Sequence, residues 1–211
     1  MRTGADLLVP QDAKGVVLFA HGSGSSRHSP RNKFVAAQLR EARLATLLID
    51  LLTPQEDETY RTRFDIALLT ERLAEAARSL AREPQTQGLP VGLFGASTGA
   101  AAALEVAAAM PEAIRAVVSR GGRPDLASHA ALRKVRAPVL LIVGGDDAGV
   151  IELNEQAYGA LGCEKHLEVV PGATHLFEEP GKLEEVARLA AQWFTRHLEP
   201  ATAPSQKGTK R

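Results

Sequence analysis

Ser97 lies in Gly95-Ala96-Ser97-Thr98-Gly99, a G-x-S-x-G arrangement. The run LPVGLFG before it reads as a strand, and TGAAAALEVAAA after it reads as a helix. A serine on a sharp strand-to-helix turn presents its hydroxyl at the end of a sheet, and flanking glycines let neighbouring backbone close in. The adjoining helix start favours negative charge developing nearby. This is the setting of a serine nucleophile. The bland alternative is a serine that only caps a helix in a tight turn.

A serine hydroxyl needs a base, and the base needs a third group to fix its tautomer. Of the six histidines, His175 lies in PGATHLFEEPG, between the last strand-like run and the last helix-like stretch. That location shares the carboxyl edge of a parallel sheet with Ser97. Two carboxylates follow the strand-like run Val139–Val143 in VGGDDAGV. The spacing G-x-x-D favours Asp147 as the acid, with Val150 opening the next helix and Asp146 as a loop or capping carboxylate. The resulting order is Ser, Asp, His, that of α/β-hydrolases rather than of chymotrypsin or subtilisin.

Acyl transfer through a tetrahedral intermediate needs two backbone N–H donors. Thr98, after the nucleophile, supplies one. Ser23 in FAHGSG is the expected second, with Gly22 and Gly24 freeing the backbone to turn towards a substrate. His21 is expected to brace this loop, and Asp50 to help hold it. The run GSGSS has neither a P-loop lysine nor dinucleotide-binding spacing, which argues against a phosphate cradle. Two basic clusters fall on the same edge: Arg27, His28 and Arg31, then Arg120 and Arg123 in SRGGRPD. Arg120 or Arg123 could clamp a substrate carboxylate. The plainer reading makes them solvated loop cations, or pairs Arg123 with Asp125.

Positioning these groups requires strands that end at one edge. Short apolar runs at Val16–Ala20, Ala45–Leu51, Val91–Phe94, Ala116–Ser119, Val139–Val143 and His166–Val170 read as buried strands. One more is expected near Leu7–Val9. Between them, apolar spacing predicts helices over Pro30–Arg43, Arg63–Ala81, Thr98–Ala109, Leu126–Val135, Val150–Leu161 and Lys182–His197. The expected fold is therefore α/β, a single domain over residues 1–198 with a mostly parallel sheet of six to seven strands. Fewer than twenty residues separate Ser119 from Val139, leaving no room for a cap domain. The polar stretch 199–211 is expected to be a flexible tail.

Composition narrows the partners. The 211 residues are 45% hydrophobic, enough for a sizeable core, and Lys plus Arg equals Asp plus Glu at 25 each. No global field invites nucleic acid or an anionic membrane. Cys163 is the only cysteine, so no internal disulfide can form. A cytoplasmic monomer or homodimer, acting on a small molecule with no metal or organic cofactor, is the expectation.

The segments VLFAHGSGSSRHSPRN, GLFGASTGAAAALE, LLIVGGDDAGVIELN and PGATHLFEEPG together resemble a dienelactone-hydrolase-related branch of the α/β-hydrolase superfamily. The resemblance spans about Val16 to His197. It implies an eight-stranded type of core without its first strand, and a Ser97-Asp147-His175 triad. Dienelactone hydrolase itself carries a cysteine nucleophile, whereas the matching position here is Ser97. The resemblance thus implies a carboxylesterase acting on short-chain esters or lactones. A thioesterase or acyltransferase on the same triad, or a ligand-binding protein without turnover, are the alternatives.

Overall fold

The computed structural model describes residues 4–198. The expected tail, 199–211, lies outside them. Seven strands form one sheet: β1 (Ala5–Leu8), β2 (Gly15–Ala20), β3 (Leu44–Ile49), β4 (Val91–Ala96), β5 (Ile114–Arg120), β6 (Val139–Gly144) and β7 (Lys165–Val170). Their order is β1-β3-β2-β4-β5-β6-β7. Only β1 runs antiparallel, against β3. The other five pairings are parallel, so β2 to β7 all end at one edge.

Helices cover both faces because side chains alternate along each strand. Val17, Phe19, Phe94, Val118 and Ile142 pack with α1 (Pro30–Glu41) and α8 (Lys182–His197). Leu18, Leu93, Val117 and Leu141 face α4 (Ile66–Leu80), α5 (Thr98–Ala109) and α7 (Ala148–Ala160). All residues of β2, β3 and β6 are buried, as strands covered on both sides should be. Helix α5 carries mostly alanine, and small side chains let it lie close against the sheet. The edge strand β7 places Lys165 and Glu168 among its apolar residues, which discourages pairing with another chain.

The strands agree with the sequence reading to within about two residues at each end. Several helix limits do not, and local capping explains the differences. The helix expected from Arg63 opens at Ile66, because the Asp65 carboxylate accepts from Leu68 N at 3.0 Å. The stretch Leu126–Val135 divides into a 3₁₀ turn, Pro124–Leu126, and α6 (His129–Lys134), which Ser128 caps through Ala131 N. Helix α7 opens at Ala148 rather than Val150. This 3₁₀ turn and α6 are the only helical elements between β5 and β6, so among the described residues no cap domain is inserted there.

Two short helices, α2 (Pro54–Asp57) and α3 (Tyr60–Arg63), are too brief for apolar spacing to reveal. They belong to the loop after β3, anchored where Arg72 forms a forked pair with both oxygens of Glu56 at 2.7 Å. The Arg72 hydrogen bonds hold the Glu56 carboxyl down at about 2, well below the usual carboxylate range. Arg72 also donates to Leu51 O, tying the loop to α4.

Phe19 and Phe94 stack with ring centroids 4.8 Å apart, directly behind the strand ends that carry the site. Both are essentially inaccessible to solvent. Phe94→Ala should cost about 3–5 kcal/mol of stability, read as a lower urea midpoint with an unchanged slope.

Candidate functional site

Ser97 sits between β4 and α5 with φ 49° and ψ −121°. A serine adopts this backbone only under strain, on the order of 1–3 kcal/mol, which the surrounding packing must sustain. A Cβ on Gly95 would lie 2.4 Å from Ala100 Cα, and one on Gly99 would lie 2.3 Å from Ala20 O. Both elbow glycines are therefore fixed by close backbone approach. The turn is locked further by Ser97 N donating to Arg120 O and by Arg123 N donating to Ser97 O.

The loop after β2 closes on this serine from one side. A Cβ on Gly22 would meet Ser97 Cβ at 2.9 Å, so the backbone passes directly beside Ser97. Gly24 has a φ of 66° and donates its N–H to Asp57 Oδ1 at 3.2 Å. The first turn of a helix leaves its N–H groups without intrahelical partners, and Thr98 N is one of these. Ser23 precedes the Gly24 anchor and makes no backbone hydrogen bond of its own. Both N–H groups remain available to an incoming oxygen.

His175 and Asp147 meet at this edge. His175 Nδ1 lies 2.7 Å from Asp147 Oδ2. A neutral imidazole donating from Nδ1 leaves Nε2 as an acceptor, the form a general base requires. Asp147 holds the N-cap position of α7, yet its side chain makes no capping bond and turns to His175 instead. Asp146 therefore does not cap this helix, and its backbone N–H joins Ala173 O at 3.0 Å. Gly145 N donates to Val170 O, so the two loops are joined by backbone before their side chains touch. Phe177, wholly buried, and Glu179, which accepts from Thr174 N at 3.1 Å, fix the His175 loop from beyond.

Ser97 and His175 flank the same two residues. Ser97 N is bonded to Arg120 O, while a Cβ on Gly121 would lie 3.6 Å from His175 Cε1. Ser97 Oγ makes no hydrogen bond among the described residues. Contacts of this kind often tighten only once substrate is bound.

A family model described as "Dienelactone hydrolase family" matches residues 8–200. The chain belongs to the dienelactone hydrolase family. It is 56% identical to a dienelactone hydrolase from Anabaena variabilis, covering 94% of each chain with a TM-score of 0.91. An esterase of Butyrivibrio proteoclasticus, Est1E, shares the fold at a TM-score of 0.76 and 17% identity, over 92% of this chain and 95% of that one. Proteins from two Mycobacterium tuberculosis strains, provisionally named phosphoribosyl transferases, are 60% identical over 193 residues. That stretch is 91% of this chain but 43% of theirs, so the chain spans less than half the length of these relatives. Together these likenesses make the described residues an α/β-hydrolase domain.

Within this hydrolase frame, Arg123 takes the plainer of the two places the sequence offered it, while Arg120 does not. Arg123 forks onto Asp125 through Nε and Nη2 at 2.8 and 2.7 Å. Arg120 is no loop residue. It ends β5 and is 6% exposed, with Nη2 donating to Asn32 Oδ1 at 3.3 Å. Arg27 pairs with Asp50, which also accepts Arg27 N at 2.8 Å, so Asp50 does hold the loop after β2. Arg31 pairs with Glu178. The sequence reading missed Asn32, Asp57 and Arg63 at this edge. Their partners lie far off in the chain, and no local spacing announces them. No helix among the described residues is long and apolar enough to cross a membrane. Nor does any group of three or more His, Cys, Asp or Glu among them have the arrangement of a metal site.

His21 braces the loop as expected: Nδ1 donates to Gly22 O, and Nε2 accepts from Leu51 N, each at 2.9 Å. Burial pushes its pKa below the ordinary 6.5, because a proton on Nε2 would be desolvated. Protonation would also break the Leu51 bond. The unfolded chain then binds this proton more readily than the folded one, so stability falls as pH drops below 6.5. Urea unfolding at stepped pH should show that decline, and His21→Gln should flatten it. A slope unchanged in His21→Gln would contradict this role.

Proposed function

We propose that this hydrolase cleaves small carboxylic esters, short-chain esters or lactones, through an acyl-enzyme on Ser97. The observation that carries the reading is the 2.7 Å bond between His175 Nδ1 and Asp147 Oδ2 at the edge where Ser97 is held strained. Ser97 Oγ attacks the ester carbonyl as His175 Nε2 takes its proton. The carbonyl oxygen becomes an oxyanion held by Thr98 N and Ser23 N. Collapse expels the alcohol, which takes the proton from His175. Water then attacks the acyl-enzyme, again giving its proton to His175, and the acid departs as Ser97 Oγ recovers a proton. Asp147 keeps the imidazole in its working tautomer and stabilises the imidazolium.

Substrate size follows from the open edge. With no cap domain between β5 and β6, no described element encloses a long acyl chain. Activity is expected to be greatest on acetate and butyrate esters of p-nitrophenol and to fall towards palmitate. A rise towards palmitate would contradict the open-edge reading. The phosphoribosyl transferase name belongs to proteins more than half of which lie outside the match, and no part of that activity is carried over. A single, half-buried cysteine suits enzyme action in the cytoplasm.

A fluorophosphonate probe should label the folded protein and fail to label Ser97→Ala. Absence of labelling in the folded wild type would favour a ligand-binding role. Among labelled enzymes, rates on esters against thioesters separate an esterase from a thioesterase. Asp147→Asn should lower kcat by about 10³ to 10⁴, whereas Asp146→Asn should change it by less than about fivefold. Comparable losses in the two variants would remove Asp147 from its role.

A further inference from the structure

Asn154 is wholly buried on α7, the helix that Asp147 opens. It follows Asp147 by seven residues, two helical turns, so both fall on one side of the helix. Only Asn154 and Ala157 are buried among the thirteen residues of α7, against nine of twelve in α5. Apolar packing therefore holds the helix that carries the acid only lightly. An amide takes one of its two buried places.

The nitrogen of that amide is fully used. Asn154 Nδ2 donates to Val150 O at 2.8 Å, one turn back in its own helix, and to Gly122 O at 3.1 Å across the fold. Exchanging the amide's nitrogen and oxygen would set Oδ1 against two carbonyl oxygens, so the chemistry settles the orientation. Oδ1 is itself buried without a partner among the described residues. A buried amide with an orphaned oxygen is a costly core residue. What it secures in return is Gly122.

Gly122 lies in the segment against which both the serine elbow and the His175 loop rest. Arg120 O accepts Ser97 N at 3.3 Å, and Arg123 N donates to Ser97 O at 3.0 Å, so the segment brackets the serine. Gly121 N donates to Ile142 O of β6 at 2.8 Å, and a Cβ on Gly121 would lie 2.9 Å from His175 O. Asn154 thus ties the helix that begins with Asp147 to the backbone that touches Ser97 and His175. Resting on the acyl-enzyme reading above, we propose that Asn154 is a positioning residue. Its bond to Gly122 O sets where the Asp147–His175 pair stands relative to Ser97 Oγ. It touches no substrate and moves no proton.

The test measures turnover per reactive serine. Asn154→Leu removes both donors, whereas Asn154→Ser keeps a hydroxyl that can reach Val150 O but not Gly122 O, and it remains informative if Asn154→Leu does not fold. Given time to react fully, fluorophosphonate should label as many sites per folded chain in these variants as in the wild type. Hydrolysis of p-nitrophenyl acetate per labelled site should fall by about ten- to a hundredfold, the order expected when reacting groups shift by up to about 1 Å, with KM little changed. Asn154→Gln, which keeps the donor, should recover part of the rate. Because Asn154 acts through the Asp147–His175 pair, Asn154→Ser should add little further loss in an Asp147→Asn background. A residue that only stabilised the fold would lower the melting temperature and the labelled fraction but leave turnover per labelled site unchanged. Unchanged per-site turnover, or the same loss with and without Asp147→Asn, overturns the assignment and leaves the esterase reading standing. A folded wild type that takes no label strikes the esterase reading, and this coupling with it.

Discussion

The contact of His175 Nδ1 with Asp147 Oδ2 is the interaction on which this site turns, and it is prepared by backbone rather than by side chains. Gly145 N reaches Val170 O and Asp146 N reaches Ala173 O, joining the loop after β6 to the loop after β7. A side chain on Gly144 would strike Ala173 O at 2.3 Å, so the two loops can meet this closely only where β6 ends in glycine. The same solution recurs at the elbow, where Gly95 and Gly99 admit neighbouring backbone. Four loops thus converge because the sheet edge is lined with residues that have no Cβ. The proposed chemistry falls to the few side chains left between them.

Much of this was legible in the sequence. Glycine next to serine, aspartate and histidine at the ends of apolar runs pointed to close backbone approach, and the structure shows those approaches. The strands were readable because both sheet faces are covered, which buries every residue of β2, β3 and β6 and leaves Thr46 as their one polar side chain. What escaped was whatever depends on distant partners. Helices α2 and α3 have no apolar period, and only the Glu56–Arg72 pair and the Asp57–Gly24 contact give them a place. Arg120 and Arg123 looked alike in SRGGRPD. One is paired at the surface and the other is buried, with Asn32 of α1 reaching it at the end of β5.

The electrostatics of the edge divide into two kinds. Most charges there are spoken for, with Asp50, Asp57, Glu178 and Asp125 each holding an arginine, and these pairs fix the loops in place. His21 serves the same end while neutral. Arg120 stands apart as a buried cation whose guanidinium bonds the neutral amide of Asn32.

The central claim is that four chain-distant loops converge to hold a reacting serine beside an imidazole and two backbone donors. A crystal structure of the enzyme phosphonylated by an organophosphonate tests it most directly. The phosphorus should be bonded to Ser97 Oγ, with one phosphonyl oxygen about 2.7–3.1 Å from both Thr98 N and Ser23 N, and His175 Nε2 facing the adduct. An adduct on another residue, or a phosphonyl oxygen turned to solvent with His175 swung away from Asp147, would contradict it.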